Sequence, residues 1–168
     1  MKRDWERLEA WLAAHNPAQL ADLNPPATAA QLRELERALG TALPADFIAC
    51  LKIHNGQRGK AEWLFDGNAF LSIDNLLMDW SVWNDLLDGG DFDGRIPKPD
   101  AEVRPAWWQK AWFPFTSNGG AHLCLDLDPA APGQHGQVIK VFHDFPARSR
   151  KAPSFERWFG DFVDGKVS

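Results

Sequence analysis

The sequence predicts an α+β fold: one domain over residues 1–168, with helices packed on a mainly antiparallel sheet. Three observations lead there. Apolar residues recur at helical spacing in the first third of the chain and again near its end, whereas between about 111 and 144 they fall in short runs of strand length. Those runs are separated by Gly-, Pro- and Asn-rich links that suit an antiparallel meander. Helices and strands do not alternate regularly, which argues against a doubly wound parallel sheet. The length, 168 residues, suits one domain at roughly 100–200 residues each.

Each element has a local reason. Residues 4–15 place Trp5, Leu8, Trp11 and Leu12 on one helical face, and Asn16-Pro17 ends the run. Thr28 and Gln31 have the spacing of a capping box. Leu32, Leu35 and Leu39 follow as a stripe, and Gly40 stands where a left-handed C-terminal cap belongs. Leu43-Pro44 opens a third helix whose Phe47, Ile48 and Leu51 face the core; His54-Asn55-Gly56 closes it. Ala61–Phe65 and Ala69–Ile73, split by Asp66-Gly67-Asn68, predict a hairpin. Asp74–Asp88 reads as a fourth helix on Leu76, Trp80, Trp83 and Leu87, terminated by Gly89-Gly90. Residues 91–106 show no period and read as a surface loop. Strands are predicted at Ala111–Thr116, His122–Asp128 and Gln137–Asp144, and Ser154 caps a last helix with Phe155, Trp158, Phe159 and Phe162 as its apolar face. The expected core is Leu32, Leu35, Leu39, Phe47, Leu51, Leu123, Leu125, Leu127, Val138, Val141 and Trp158.

Composition excludes several classes. With 45% hydrophobic and 24% charged residues the chain is neither disordered nor collagen-like, and two cysteines do not make a disulfide scaffold. Net charge is −5, without the basic footprint of a nucleic-acid binder, so no direct nucleic-acid contact is expected. The N-terminal segment carries Asp4, Glu6, Arg7 and Glu9 where a signal peptide needs an apolar run. No stretch approaches the roughly 18 apolar residues of a membrane span. The expected compartment is the cytoplasm, with Cys50 and Cys124 reduced and unpaired.

The segments that resemble chemistry all have a simpler reading. On the strand His122–Asp128, alternation puts His122, Cys124, Asp126 and Asp128 on one face and Leu123, Leu125 and Leu127 on the other. Ligands spaced about 7 Å apart along one strand converge poorly on a metal, so a half-buried strand with a polar face is expected. The run from Asp88 to Gly94 fails the spacing of a calcium loop. Asn118-Gly119-Gly120 lacks the lysine and helix start of a phosphate loop. No nucleophile or zinc-protease motif is present. No catalytic, cofactor or metal residue is assigned, and no enzyme is expected.

Charge distribution carries more information. Residues 61–103 hold ten acidic and two basic groups, net −8, against +3 for the rest of the chain. An acidic region with aromatic residues in or beside it suits a protein-binding surface. The expected partner-binding residues are Trp63, Asp66, Asp88, Asp91, Asp93, Trp107 and Trp108. The basic residues Arg148, Arg150 and Lys151 are the fallback.

The run from Leu39-Gly40 through Leu43-Pro44 to His54-Asn55-Gly56 resembles the N-terminal signature of the SUKH superfamily, also called the Smi/Knr family. Trp112–Phe115, Asn118–Gly120, Leu123–Pro129, Gly133, Gly136–Ile139 and the Ser154-Phe155 helix start resemble its second half, so the resemblance spans about 28–165. It implies an α+β fold with helices on an antiparallel-rich sheet and no known enzymatic activity. In bacteria it implies immunity proteins that neutralise toxins; in fungi, regulators of cell-wall synthesis and signalling. The chain reads as a domain without the disordered flanks of the fungal regulators. The expectation is therefore a bacterial immunity protein with a basic toxin domain as partner; the alternative is a regulatory or scaffold protein with a cellular partner.

Overall fold

The first half of the chain is helical because its caps are written locally. A computed structural model describes all residues, Met1–Ser168, and opens with α1 (Lys2–His15). Asn16 ends α1, but Pro17 then starts a short further helix, α2 (Pro17–Ala21), with the Gln19 N–H donating to the Asn16 side chain. In α3 (Ala29–Leu39) the Gln31 N–H donates to the Thr28 hydroxyl and the Thr28 N–H to the Gln31 side chain. Gly40 takes the left-handed conformation at φ 70°. Pro44 precedes α4 (Ala45–Leu51) as its N-cap.

The predicted hairpin does not form. Only β1 (Ala69–Phe70) is extended, and it pairs antiparallel with β4 (Thr116–Ser117). Residues 61–65 are held instead by the side-chain amides of Gln57 and Gln19. The Gln57 carbonyl oxygen accepts from the Leu64 and Phe70 N–H groups (2.9 Å each), and its amide donates to Asp22 (3.0 Å). Leu64 and Phe65 are thereby buried without a ladder.

After α5 (Ile73–Asp88) comes the segment read as a surface loop. It contains β2 (Lys98–Pro99) and buries Phe92 and Val103. The main sheet runs β2–β7–β6–β5–β3, with β3 (Trp112–Pro114), β5 (Ala121–Asp126), β6 (Gln137–Phe142) and β7 (Ala147–Ala152) antiparallel and β2 parallel to β7. Strand β7 is an unpredicted element. The last helix is α6 (Phe155–Val167), whose Arg157 N–H donates to Ser154.

The sheet is buried on both faces. On one, Phe113, Leu125 and Val138 join Trp5, Leu8, Leu35, Phe47, Phe155 and Phe159 of the helices. On the other, Cys124, Ile139 and Val141, together with Trp112 of β3, lie under Trp83 of α5 and under Trp107 and Trp108. The face of β5 read as half-buried and polar is thus a second core. Of the expected core, Leu32, Leu35, Phe47, Leu51, Leu125, Val138 and Val141 are buried, while Leu39, Leu123, Leu127 and Trp158 are half-buried at its edges. No helix is long and apolar enough to cross a membrane.

Candidate functional site

Helix α5 borders a cleft that combines polar and apolar walls around a half-buried carboxylate, Asp79. The Asn75 N–H donates to the Ser72 cap (3.3 Å), and Leu76 and Trp83 turn inward. Met78 and Val82, four residues apart, then fall on the outer face, 58% and 52% exposed. The helix carries Asp74, Asp79, Asp85 and Asp88 and no lysine or arginine.

Between α5 and the β4–β5 turn lies a cleft of about 260 Å³. Trp83 and His122 form its buried part; Val82 and Leu86 line one side and Ser117, Gly119 and Gly120 the other, with His143 exposed at the rim. The Trp83 indole N–H donates to His122 Nε2 (3.0 Å), so Nδ1 carries the ring proton and donates to the Thr116 carbonyl (2.8 Å). Burial lowers the His122 pKa, opposed by the Thr116 hydrogen bond and by Asp79. Asp79 Oδ2 lies 3.8 Å from Nδ1. Burial raises the Asp79 pKa, opposed by His122 and by a Ser117 hydroxyl hydrogen bond. His122 on β5 thus holds Trp83 of α5 through Nε2 and the Thr116 carbonyl of β4 through Nδ1, leaving neither lone pair nor proton for a substrate.

The other polar residues of β5 are tied internally. Asp126 accepts from the Gln137 amide (2.9 Å) and the Asp128 N–H (3.1 Å), and burial raises its pKa. Cys124 is fully buried, which raises its thiol pKa. Asp128 is exposed and pairs with Arg104 (2.9 Å). No group of three or more His, Cys, Asp and Glu side chains comes together to hold a metal ion.

The acidic middle third is divided between separate surfaces. Asp88, Asp91 and Asp93 are exposed around the end of α5, where Asp88 pairs with Lys110 (2.7 Å). Asp66 instead pairs with Lys166 of α6, and Trp63, 42% exposed, lies beside α2, whose Gln19 amide donates to the Trp63 carbonyl (2.8 Å). Trp107 and Trp108 are not available as anchors, being only 8% and 2% exposed. Trp107 lies against the buried Arg148, and Trp108 stacks on Trp83 at 4.7 Å and donates to Asn84 (2.9 Å). Of the fallback residues Arg148 is buried as well, leaving Arg150 half-buried and Lys151 exposed. Sequence reading missed Met78, Asp79, Val82 and His143. Their one signal was that Met78 and Val82 fall off the apolar stripe of their helix.

Comparison with known proteins adds identity to this geometry. The model of the SMI1/KNR4 family (SUKH-1) matches residues 26–161. The chain is 26% identical to the "Cell wall assembly regulator SMI1" of Saccharomyces cerevisiae, with 95% of this chain and 38% of that protein aligned. It is 23% identical to the "Glucan synthesis regulatory protein" of Neurospora crassa (86% and 34%) and 25% identical to the "Cell wall biosynthesis/cell cycle regulator smi1" of Schizosaccharomyces pombe (86% and 32%). The chain thus spans about a third of the length of these curated relatives. They are fungal and are named as regulators, not as enzymes. This overturns the expectation of a bacterial toxin-immunity protein, and with it a toxin as the partner; the regulatory alternative is the one these relatives favour. Matched by the family model over most of its length, the chain belongs to the SMI1/KNR4 family (SUKH-1).

Proposed function

We propose that this chain is a non-enzymatic protein-binding domain of a regulator, acting on a protein partner in the wall-assembly or glucan-synthesis processes for which its relatives are named. The observation that carries the reading is the outer face of α5. There the exposed Met78 and Val82 share a helix with Asp74, Asp85 and Asp88, and the exposed Asp91 and Asp93 follow directly. Apolar groups rimmed by charge have the composition of a docking surface. Rim carboxylates steer a basic partner and set the encounter rate, while the apolar centre sets the lifetime of the complex. Trp63 with Asp66 forms a second, smaller candidate surface. The engagement of both His122 nitrogens supports a binding role over a catalytic one. The compartment of this reading is the cytoplasm, where buried thiols stay reduced.

The test replaces the matching segment of the S. cerevisiae regulator with residues 1–168 and scores wall assembly. The chimera is expected to support growth under wall stress, and Met78→Glu with Val82→Glu to abolish that support without changing thermal unfolding. A folded chimera that gives no support, or a double variant as good as the parent, overturns the proposal.

A further inference from the structure

We propose that the α5 cleft receives a single arginine side chain from a protein partner, with Asp79 as its counter-charge. The inference rests on the protein-binding reading for the source of the arginine and names the chemistry the cleft selects.

Asp79 is the starting point. Its side chain is only 23% exposed, and its one ionic neighbour is His122 at 3.8 Å. That histidine is held neutral by its two hydrogen bonds, so it supplies no counter-charge. The other aspartates of this region are better placed: Asp88 is paired with Lys110 and Asp128 with Arg104, both more than half exposed. A carboxylate withdrawn from water without a cation is unfavourable, and an incoming cation relieves it.

The remaining hydrogen-bonding groups decide the sign of the ligand. The N–H groups that would greet an anion are spent: Gly119 donates to the Ser117 hydroxyl (3.3 Å) and Gly120 to Asn118 (3.1 Å). The Trp83 indole N–H and the His122 Nδ1–H are spent as well. The cleft therefore presents acceptors, chiefly the Asp79 carboxylate, and suits a donor-only group. The field agrees, since α5 bears four carboxylates and no basic residue, and its C-terminal end adds negative potential.

Size and walls narrow the cation further. At about 260 Å³ the cleft lies below the roughly 300–1,000 Å³ of small-molecule sites and suits one side chain. Val82 and Leu86 offer an apolar wall for a methylene stem. His143 presents a ring at the exposed rim. A guanidinium is planar, weakly hydrated and rich in donors, so it loses less than an ammonium on entering such a site.

The probe is N-acetyl-arginine N-methylamide, titrated into the full chain and followed by amide and indole NMR shifts. Saturable shifts are expected at Gly119, Gly120 and the Trp83 indole. The uncharged citrulline analogue and the lysine analogue should each bind at least about tenfold more weakly, as should the probe with Asp79→Asn, the scale of losing a charge-assisted hydrogen bond. Val82→Trp, at an exposed position, should block the cleft with the fold intact. Equal binding of citrulline, or undiminished binding by either variant, overturns the site; equal binding of lysine overturns the arginine assignment. This titration reads the cleft alone. If the chimera supports wall assembly while the probe fails, this inference falls and the regulatory reading stands; the reverse pattern removes the regulatory reading only.

Discussion

The Arg148 guanidinium carbon lies 4.7 Å from the centre of the Trp107 ring, and the same guanidinium donates to the Trp107 carbonyl through Nε (2.9 Å) and Nη2 (2.6 Å). Its Nη1 donates to the Phe145 and Ala147 carbonyls (2.8 Å each). A fully buried cation is thus held by main-chain oxygens and a π face, with no carboxylate, and burial pushes its pKa down to about 10. Arg148→Met strips the donors from these carbonyls and should cost about 3 kcal/mol; Arg148→Lys keeps charge but loses the fork and should cost about 2 kcal/mol. Urea unfolding measures both. A Met variant as stable as the parent would show that water replaces the guanidinium.

Gly40 and Gly56 both have positive φ, 70° and 68°, yet their surroundings differ. A Cβ on Gly40 meets nothing within 4 Å, whereas one on Gly56 would stand 2.3 Å from the Ser72 nitrogen and 2.5 Å from the Leu71 carbonyl carbon. Gly40→Ala should cost about 1 kcal/mol, from the left-handed backbone alone. Gly56→Ala adds a backbone clash and should cost about 3 kcal/mol or more. Equal losses in thermal unfolding would refute the distinction.

Leu125 is fully buried opposite Val138 in the first core. Leu125→Ala should therefore destabilise the fold by about 2–5 kcal/mol. A loss under about 1 kcal/mol would mean that the site collapses around the smaller side chain.

His122 makes stability depend on pH. Its folded pKa lies below the ordinary 6.5, because burial disfavours the charged ring. Below that ordinary value the unfolded chain binds a proton that the fold does not, so its contribution is present at higher pH and is lost as pH falls. Asp79 acts in the opposite sense, gaining as pH falls, since burial raises its pKa. In an Asp79→Asn background, the stability advantage of His122 over His122→Gln should shrink between about pH 7.5 and about pH 5.5. An advantage that grows on acidification contradicts the neutral-ring assignment.

The two thiols should be silent in the native state. Cys50 belongs to the first core and Cys124 to the second, on opposite faces of the sheet. Burial pushes the Cys50 pKa up to about 12 and raises that of Cys124. An alkylating reagent should label neither in native protein and both after unfolding. Mass spectrometry reads the count, and rapid native labelling of Cys124 would indicate opening of the second core.

What the sequence made legible was local chemistry. Thr28 with Gln31, and Ser154, announce helix starts because a cap is decided within one turn. The alternation of β5 was readable for the same reason, although the cover over its polar face was not. Strand β7 escaped because its residues, ARSRKA, read as solvated, while the groups that satisfy Arg148 include a carbonyl at Trp107, distant in the chain. Trp107 and Trp108 looked available because they follow a Pro- and Asp-rich stretch; the chain folds that stretch back over the sheet. The acidity of the middle third was plain, but its division was not, since Asp66 finds Lys166 and Asp88 finds Lys110 only in three dimensions. The cleft joins Asp79 to His122 from different elements, which no periodicity reports.

The stack of Trp83 on Trp108, with planes 24° apart, also gives the molecule an optical handle. Two indoles in such proximity share their electronic excitation, so the pair should contribute an exciton couplet to the circular dichroism that isolated tryptophans such as the exposed Trp63 do not. Because Trp83 also lines the α5 cleft, that couplet reports the second core separately from the first. Its loss ahead of the helical signal on heating would mark α5 lifting from the sheet while the remaining helices hold.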